Sequence, residues 1–238
     1  MAQAIILAGG DSSRYGKNKI IETFDKSTLT EYLVKFCKEN QIDDIFIVIN
    51  KKHVGMYKGK DLTELYHPLI DAINYSGHRI NVKFVWQGEK KGPVAGLFGM
   101  QDLITDDFFV LFGDNFLKGL IEFDEEQKAA DVVIGTLELP KNSDNQRLGY
   151  VDTDNRNHVM EKPHRFDEGH FFIGFAYFKA HMIKRINELK PSVRGEFEIT
   201  HFINLAENIE TYDMNKLRWI DITYASEYDK VLEYIKNS

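Results

Sequence analysis

Three glycines and three basic side chains crowd into the eleven positions Gly9-Gly10-Asp11-Ser12-Ser13-Arg14-Tyr15-Gly16-Lys17-Asn18-Lys19. Glycine lets the main chain approach a ligand closely, and successive N–H groups can cradle phosphate oxygens. Arg14, Lys17 and Lys19 add full positive charge. The segment follows an apolar run, Ala4 to Ala8, so the pattern favours phosphate binding over a solvated strand-to-helix turn. Two familiar phosphate loops do not fit. Gly10 and Gly16 enclose five residues where a P-loop needs four, and Asn18 stands where its magnesium-binding hydroxyl would be. The Gly-x-Gly-x-x-Gly dinucleotide pattern is absent as well.

Carboxylates supply the second kind of chemistry. Asp114, in Phe112-Gly113-Asp114-Asn115, directly follows an apolar run, where a carboxylate suits Mg²⁺, although Gly-Asp-Asn is also good turn chemistry. Asp221 interrupts the apolar run Arg218 to Thr223; with Asp114 it completes the pair of acids that a magnesium-bound triphosphate would need. Glu161-Lys162-Pro163 ends another run with a couple able to form an ion pair, at a place compatible with a substrate pocket. Gly195-Glu196-Phe197-Glu198-Ile199-Thr200 puts two acids at a helix start, where the helix dipole is the default explanation. The eight histidines show no zinc-site spacing, and no Gly-x-Ser-x-Gly elbow exists. Cys37 falls on the apolar face of a helix, as core filling.

Short apolar strands closed by glycine or polar residues must position these groups. Such runs are Ala4 to Ala8, Asp44 to Ile49, Val82 to Trp86 and Phe108 to Phe112. Thr28-Leu29-Thr30-Glu31 has the form of a capping box, with helical spacing of Leu29, Tyr32, Leu33 and Phe36 behind it. Pro93 to Ile104 reads as a helix with proline in its first turn. Continuously apolar strands alternating with helices argue for a parallel sheet covered on both faces, with the ligand outside its carboxyl ends. The loops after Ala8, Trp86 and Phe112 are therefore the expected site. Further on, Asp131 to Leu139, Gly149 to Asp152, His158 to Lys162 and Gly169 to Phe178 read as strands. Lys179 to Leu189, Phe197 to Ala206 and Ala225 to Lys236 read as helices. No linker-like tract separates the halves, so one domain over 1–238 is expected.

Composition bounds the rest. The chain has 238 residues, 43% of them hydrophobic and 28% charged, with a net charge of -7. Acidic balance argues against nucleic-acid binding. No apolar run approaches the ~18 residues of a membrane span, and the N-terminus lacks a basic leader, so no membrane partner or signal peptide is expected. One cysteine excludes an internal disulfide and fits a reducing, cytoplasmic setting.

Taken in order, several segments resemble the sugar nucleotidyltransferases, above all the glucose-1-phosphate thymidylyltransferase group. They are Ile6-Leu7-Ala8-Gly9-Gly10 with Ser13-Arg14, Gln87 through Leu97, Leu111 through Asn115, and Gly149-Tyr150-Val151. Glu161-Lys162-Pro163, Gly174 through Phe178, Gly195 through Thr200, and Trp219-Ile220-Asp221 complete the set. The resemblance implies a Rossmann-like three-layer α/β/α fold of nucleotidyltransferase type with a mixed central sheet. It implies a nucleotide-binding part over about 1–130 and a sugar-binding part over about 131–238. The implied reaction joins a nucleoside triphosphate, dTTP or UTP, to a sugar 1-phosphate, giving an NDP-sugar and pyrophosphate.

By the same resemblance Leu7, Gly9, Gly10 and Gln87 would hold the nucleoside, with Gly92 beside the base. Arg14 and Lys19 would grip the triphosphate, Asp114 and Asp221 would ligate Mg²⁺, and Lys162 would contact the sugar phosphate. Gly149, Glu161 and Gly174 would line the sugar pocket. The loop is compact: Arg14 and Lys19 are five positions apart, as in molybdenum-cofactor guanylyltransferases, which leaves Lys17 as an alternative to Lys19. A cytidylyl- or guanylyltransferase acting on another phosphate acceptor, and a non-catalytic nucleotide-sugar sensor, are the competing readings. Relatives commonly assemble into oligomers. The segment in which relatives keep a regulatory site is not matched, so no feedback regulation is expected.

Overall fold

β-Branched and aromatic runs build the strands, and the polar or glycine residues that close them set the strand ends. The computed structural model describes residues 2–10, 12, 14–16, 19, 22–50 and 80–238. In chain order the strands are β1 (Gln3–Leu7), β2 (Thr23–Phe24), β3 (Ser27–Thr28), β4 (Asp44–Ile49), β5 (Asn81–Trp86), β6 (Phe108–Phe112) and β7 (Asn115–Lys118). They continue with β8 (Val132–Leu139), β9 (Gly149–Asp152), β10 (His158–Met160), β11 (Gly169–Phe178), β12 (Ile209–Asp213) and β13 (Arg218–Asp221). The α-helices are α1 (Leu29–Glu39), α2 (Glu125–Ala129), α3 (Ile199–Ile203) and α4 (Tyr228–Lys236). Two compact units emerge, each assembled from separated stretches of chain.

The first unit comprises Met1–Gly88, Leu111–Ile121 and Leu217–Ser238. β1 runs parallel to β4 from Gln3↔Asp44 to Leu7↔Val48, and β4 runs parallel to β5. Ile5, Ile6, Ile45 and Ile47 are fully buried, which is why these strands read as unbroken apolar runs. The capping box at Thr28 forms: its hydroxyl accepts from the Glu31 N–H while the Glu31 carboxylate accepts from the Thr28 N–H. β7 pairs antiparallel with β13. Helix α4 packs on the β2–β3 hairpin, with Tyr228 stacked on Phe24 at 4.9 Å. Tyr15, Phe24, Leu29, Phe116, Ile222, Val231 and Ile235 form the core beneath.

The second unit comprises Glu89–Val110 and Glu122–Lys216. β8 is flanked by β12, parallel, and by β11, antiparallel; β9 pairs antiparallel with β11 and β10. Phe109, Phe123, Phe175, Tyr177 and Tyr212 fill its interior with tilted and edge-to-face ring contacts. The pairings of the protein are thus mixed, parallel and antiparallel, as the α/β reading expects.

Four elements depart from the sequence-based expectation. The helix expected over Pro93 to Ile104 contracts to a 3-10 stretch, Ala95–Gly99, which starts without a side-chain cap and contains two glycines. Lys179 to Leu189 is also wound as a 3-10 segment, Ala180–Glu188. Phe197 to Ala206 keeps only one short helix, α3, because the Phe197 main chain is occupied with Lys91 and Val94. The strand expected to reach Lys162 stops at Met160, because Lys162 adopts φ +44, a left-handed conformation that cannot continue a strand.

Candidate active site

The glycine-rich loop leaves β1 at its carboxyl end. Leu7 closes that strand, and its carbonyl accepts from the Gly113 N–H at 3.0 Å. A Cβ on Gly113 would sit 2.9 Å from that same oxygen, so glycine is required for the close approach. Gln87 extends the β4–β5 pairing through its N–H to the Ile49 carbonyl, 2.9 Å, and its side-chain Oε1 fills the space a Cβ on Gly9 would occupy. Among the described residues, nothing lies within 4 Å of the corresponding position on Gly10. The N–H groups of Tyr15 and Gly16 both donate to the Ser12 carbonyl, turning the loop back on itself. Arg14 lies exposed on that turn.

Lys19 reaches away from the loop. Its Nζ donates to Asp114 Oδ2 at 2.5 Å and to the Ile222 carbonyl at 3.0 Å. Its own N–H donates to Ser12 Oγ at 3.2 Å. Asp114 immediately precedes β7, whose first residue, Asn115, is the register partner of Asp221 on β13. The Ile222 N–H donates to the Asp114 carbonyl at 3.2 Å, so the two acids stand at adjacent ends of one paired ribbon. The Asp221 carboxylate accepts from Thr223 Oγ1 at 3.3 Å. Glu227 in turn accepts from the Thr223 and Tyr224 N–H groups at 2.7 and 2.8 Å, pinning the turn that carries the Ile222 carbonyl.

A second cluster belongs to the second unit. Glu161 Oε1 meets Lys162 Nζ at 2.9 Å and Arg194 Nη2 at 2.8 Å, while Oε2 accepts from Thr200 Oγ1 at 2.9 Å. The Glu161–Lys162 couple is therefore no isolated surface pair. Burial alone would raise the Glu161 carboxyl pKa; the Lys162 charge and the bonds from Lys162, Thr200 and Arg194 outweigh it and hold the group below its ordinary range. Glu198 is the N-cap of α3 but makes no capping bond; its buried carboxylate takes Arg194 at 2.7 Å and Ser192 Oγ at 3.1 Å instead. The hydrogen bond that Arg194 donates to Glu198 is the largest cause of its raised pKa.

The remaining glycines shape the second unit. Gly92 has φ +108, and a Cβ there would lie 2.5 Å from the Phe197 N. A Cβ on Gly149 would press on Thr200 Cγ2 at 3.1 Å, next to the hydroxyl that bonds Glu161. Gly174 has φ +81 and sits where the register of β11 against β8 shifts, between Phe172 and Ala176. Lys17 lies outside the described residues.

Leu7, Gly9, Gly10, Arg14, Lys19, Gln87, Asp114 and Asp221 thus fall in the first unit; Gly92, Gly149, Glu161, Lys162 and Gly174 fall in the second. Sequence reasoning missed Arg194 and the Ile222 carbonyl. Arg194 had a usable signal, since it directly precedes the Gly195–Thr200 segment; a main-chain oxygen has none. Among the described residues, no group of three or more His, Cys, Asp or Glu side chains gathers as a metal cluster. Asp114 Oδ2 and the Ile222 carbonyl nevertheless converge on one cationic nitrogen, an all-oxygen donor pair of the kind a hard divalent ion takes alongside substrate phosphates.

The family model described as "Nucleotidyl transferase" matches residues 3–238. The chain belongs to the nucleotidyl transferase family. Among related members, the low-salt glycan biosynthesis nucleotidyltransferase Agl11 of Haloferax volcanii is 29% identical over 212 residues, covering 84% of this chain and 56% of that protein. The UTP–glucose-1-phosphate uridylyltransferase AglF of the same organism is 26% identical over 249 residues, covering 96% of this chain and 94% of its own. The glucose-1-phosphate thymidylyltransferase of Streptomyces antibioticus is 23% identical over 216 residues, 84% of this chain and 56% of that one. The chain therefore spans about half the length of two of these relatives, 56% of each. A crystal structure of UDP-glucose pyrophosphorylase complexed with UDP-glucose shares the fold of this nucleotidyl transferase, with TM-score 0.75, 17% identity and full coverage of both chains. Among the described residues no helix is long and apolar enough to cross a membrane.

Proposed function

We propose that this nucleotidyl transferase joins a nucleoside triphosphate to a sugar 1-phosphate, releasing pyrophosphate and an NDP-sugar. The observation that carries the reading is the Lys19 ammonium seated on Asp114 and the Ile222 carbonyl, behind a loop whose Gly10 leaves room for a ligand. In this reading Gly9, Gly10 and Gln87 face the nucleoside with Leu7 beneath, and Gly92 belongs beside the base. Arg14 and Lys19 bind the triphosphate, and Asp114 with Asp221 holds Mg²⁺. When bound, the ion neutralises charge on the triphosphate and its departing pyrophosphate.

Glu161, anchored as a carboxylate by Lys162, Arg194 and Thr200, is an acceptor for sugar hydroxyls. Lys162 binds the sugar phosphate, and Gly149 and Gly174 keep their strands free of side chains near the sugar. One oxygen of the sugar phosphate attacks the α-phosphorus in line; the bond from that phosphorus to the β-phosphate oxygen breaks, and pyrophosphate carries the electron pair away. The attacking oxygen is already anionic, so no side chain has to take a proton. The protein's work is positioning and charge neutralisation.

The base is thymine or uracil, carried by dTTP or UTP. Related proteins are named as a thymidylyltransferase and a uridylyltransferase, and a single methyl contact separates thymine from uracil, worth ~1–3 kcal/mol. A pyrophosphate-release assay crossing five nucleoside triphosphates with several sugar 1-phosphates tests the proposal. Turnover with dTTP or UTP and a hexose 1-phosphate is expected. Pyrophosphate only with CTP or GTP, or with none of the pairs, overturns it.

A further inference from the structure

The Lys19 ammonium occupies a place with the chemistry of a metal site. Two oxygens from segments far apart in sequence, Asp114 Oδ2 and the Ile222 carbonyl, both accept from its Nζ, at 2.5 and 3.0 Å. Both partners are largely but not fully withdrawn from solvent: side-chain exposure is 16% for Lys19 and 27% for Asp114. The carbonyl is held in place, because Ile222 is fully buried, its N–H is bonded to the Asp114 carbonyl, and Glu227 ties down the two following N–H groups. A divalent ion binding Asp114 Oδ2 at the usual ~2.0–2.1 Å would stand against the ammonium, and two cations cannot share that oxygen at such distances without strong repulsion.

Resting on the functional reading above, we propose that Lys19 is an internal counter-cation that competes with the divalent ion for Asp114. Without the ion, the ammonium fills the site and keeps the carboxylate neutralised. When the ion takes Asp114, Lys19 is released from both oxygens, and its charge becomes available to the triphosphate. Ion binding and triphosphate binding are then coupled through one side chain, by exchange of its partner. Such coupling is reciprocal: whatever holds Lys19 elsewhere strengthens ion binding to the same degree.

Mn²⁺ alone, with no nucleotide present, is the probe, its free concentration read by electron paramagnetic resonance. Lys19→Met removes the competing charge while keeping the apolar stem, and is expected to bind Mn²⁺ at least about tenfold more tightly than the parent, a shift of about 1.4 kcal/mol. Arg14→Gln removes an equal charge from the same loop without touching Asp114 and is expected to shift the affinity less than twofold. Unchanged or weaker Mn²⁺ binding by Lys19→Met overturns the exchange. Equal tightening by both variants also overturns it, since a general field would then account for the effect. Should Lys19→Met not fold by circular dichroism, Lys19→Gln replaces it under the same criteria. Asp114→Asn separates the two levels. If it binds Mn²⁺ as the parent does, the metal assignment itself fails; if it loses Mn²⁺ while Lys19→Met matches the parent, only the exchange fails.

Discussion

Arg194 donates to the Glu198 carboxylate at 2.7 Å, and that carboxylate is 1% exposed. The same guanidinium nitrogen bridges to Glu161, tying the strand-end acid to the start of α3. Removing Arg194 would leave the buried Glu198 carboxylate with, among the described residues, the Ser192 hydroxyl alone to satisfy it. A fully buried pair broken this way loses roughly 3–5 kcal/mol. Arg194 is itself 42% exposed, so Arg194→Met is expected to lower the unfolding free energy by a smaller amount, about 2 kcal/mol. Urea denaturation followed by circular dichroism reads this directly, and an unchanged midpoint would mean that the bridge contributes nothing to stability.

Two glycine-to-alanine substitutions should separate folding from ligand binding. At Gly92 a Cβ meets the Phe197 main chain, which cannot yield as a side chain could, and φ is +108. Gly92→Ala is expected to destabilise by about 2 kcal/mol or more, visible as a lowered thermal midpoint. At Gly10 nothing among the described residues lies within 4 Å and the backbone is not left-handed, so Gly10→Ala should leave stability within about 0.5 kcal/mol. Its methyl projects into the space assigned to the nucleotide, so KM for the triphosphate should rise several-fold. Equal thermal losses in the two variants would refute this division.

These contrasts mark what could be read from residue types. Strands with continuous apolar runs were legible because burial on both faces leaves an unbroken hydrophobic string: β4, β6 and β11 have the expected bounds, as does β9, where buried and half-buried residues alternate. The capping box was legible because Thr28 and Glu31 carry it locally. Proline at a suitable first turn misled over Pro93 to Ile104, where Val94, Ala95 and Leu97 are buried but long-range bonds with Phe197 fix a tighter path. For the site, residue types pointed to Asp114, Glu161, Lys162 and a lysine of the first loop, with Lys17 and Lys19 both open. The Glu161–Lys162 couple was local, but the partnership of Lys19 with Asp114 and Ile222 crosses 95 and 203 positions, and that of Glu161 with Arg194 crosses 33, which no local pattern encodes.

Acid should weaken the protein through Glu161 and Asp107. Burial opposes ionisation of Asp107, but hydrogen bonds from Tyr177, the Ala180 N–H and Lys179 outweigh it and hold its carboxyl below its ordinary value. Glu161 is lowered in the same sense from 4.5. A carboxyl depressed in the folded state stabilises it above the unfolded pKa, and that stability is lost as pH falls through the folded value. Stability should therefore hold at neutral pH and decline below about pH 4.5. Urea midpoints across that range should fall less steeply for Glu161→Gln and Asp107→Asn than for the parent. Identical slopes would remove both groups from the acid response.

Cys37 lies fully buried in α1, and burial pushes its thiol up to about 12. The thiolate is the reactive form, so near neutral pH a disulfide reagent should modify Cys37 only when the chain opens. Modification in native buffer should be slower than in denaturant by several orders of magnitude and should accelerate with urea. Rapid labelling of the folded protein would contradict the burial of that helix face.

Asp114→Asn carries the chemistry prediction. Asparagine keeps the shape of the side chain and can still hydrogen-bond Lys19, but it removes the charge that a divalent ion and the Lys19 ammonium both require. The pair is partly exposed, at 16% and 27%, so its loss should cost less than about 1 kcal/mol of folding stability and move the thermal midpoint by only a few degrees. Charge stabilisation by a held metal ion is worth several kcal/mol in a transition state, so turnover should fall by roughly a hundred- to a thousandfold. Steady-state pyrophosphate release, read beside a melting curve of the same preparation, distinguishes the two effects. A variant that melts like the parent and retains its magnesium-dependent turnover would show that Asp114 holds no metal.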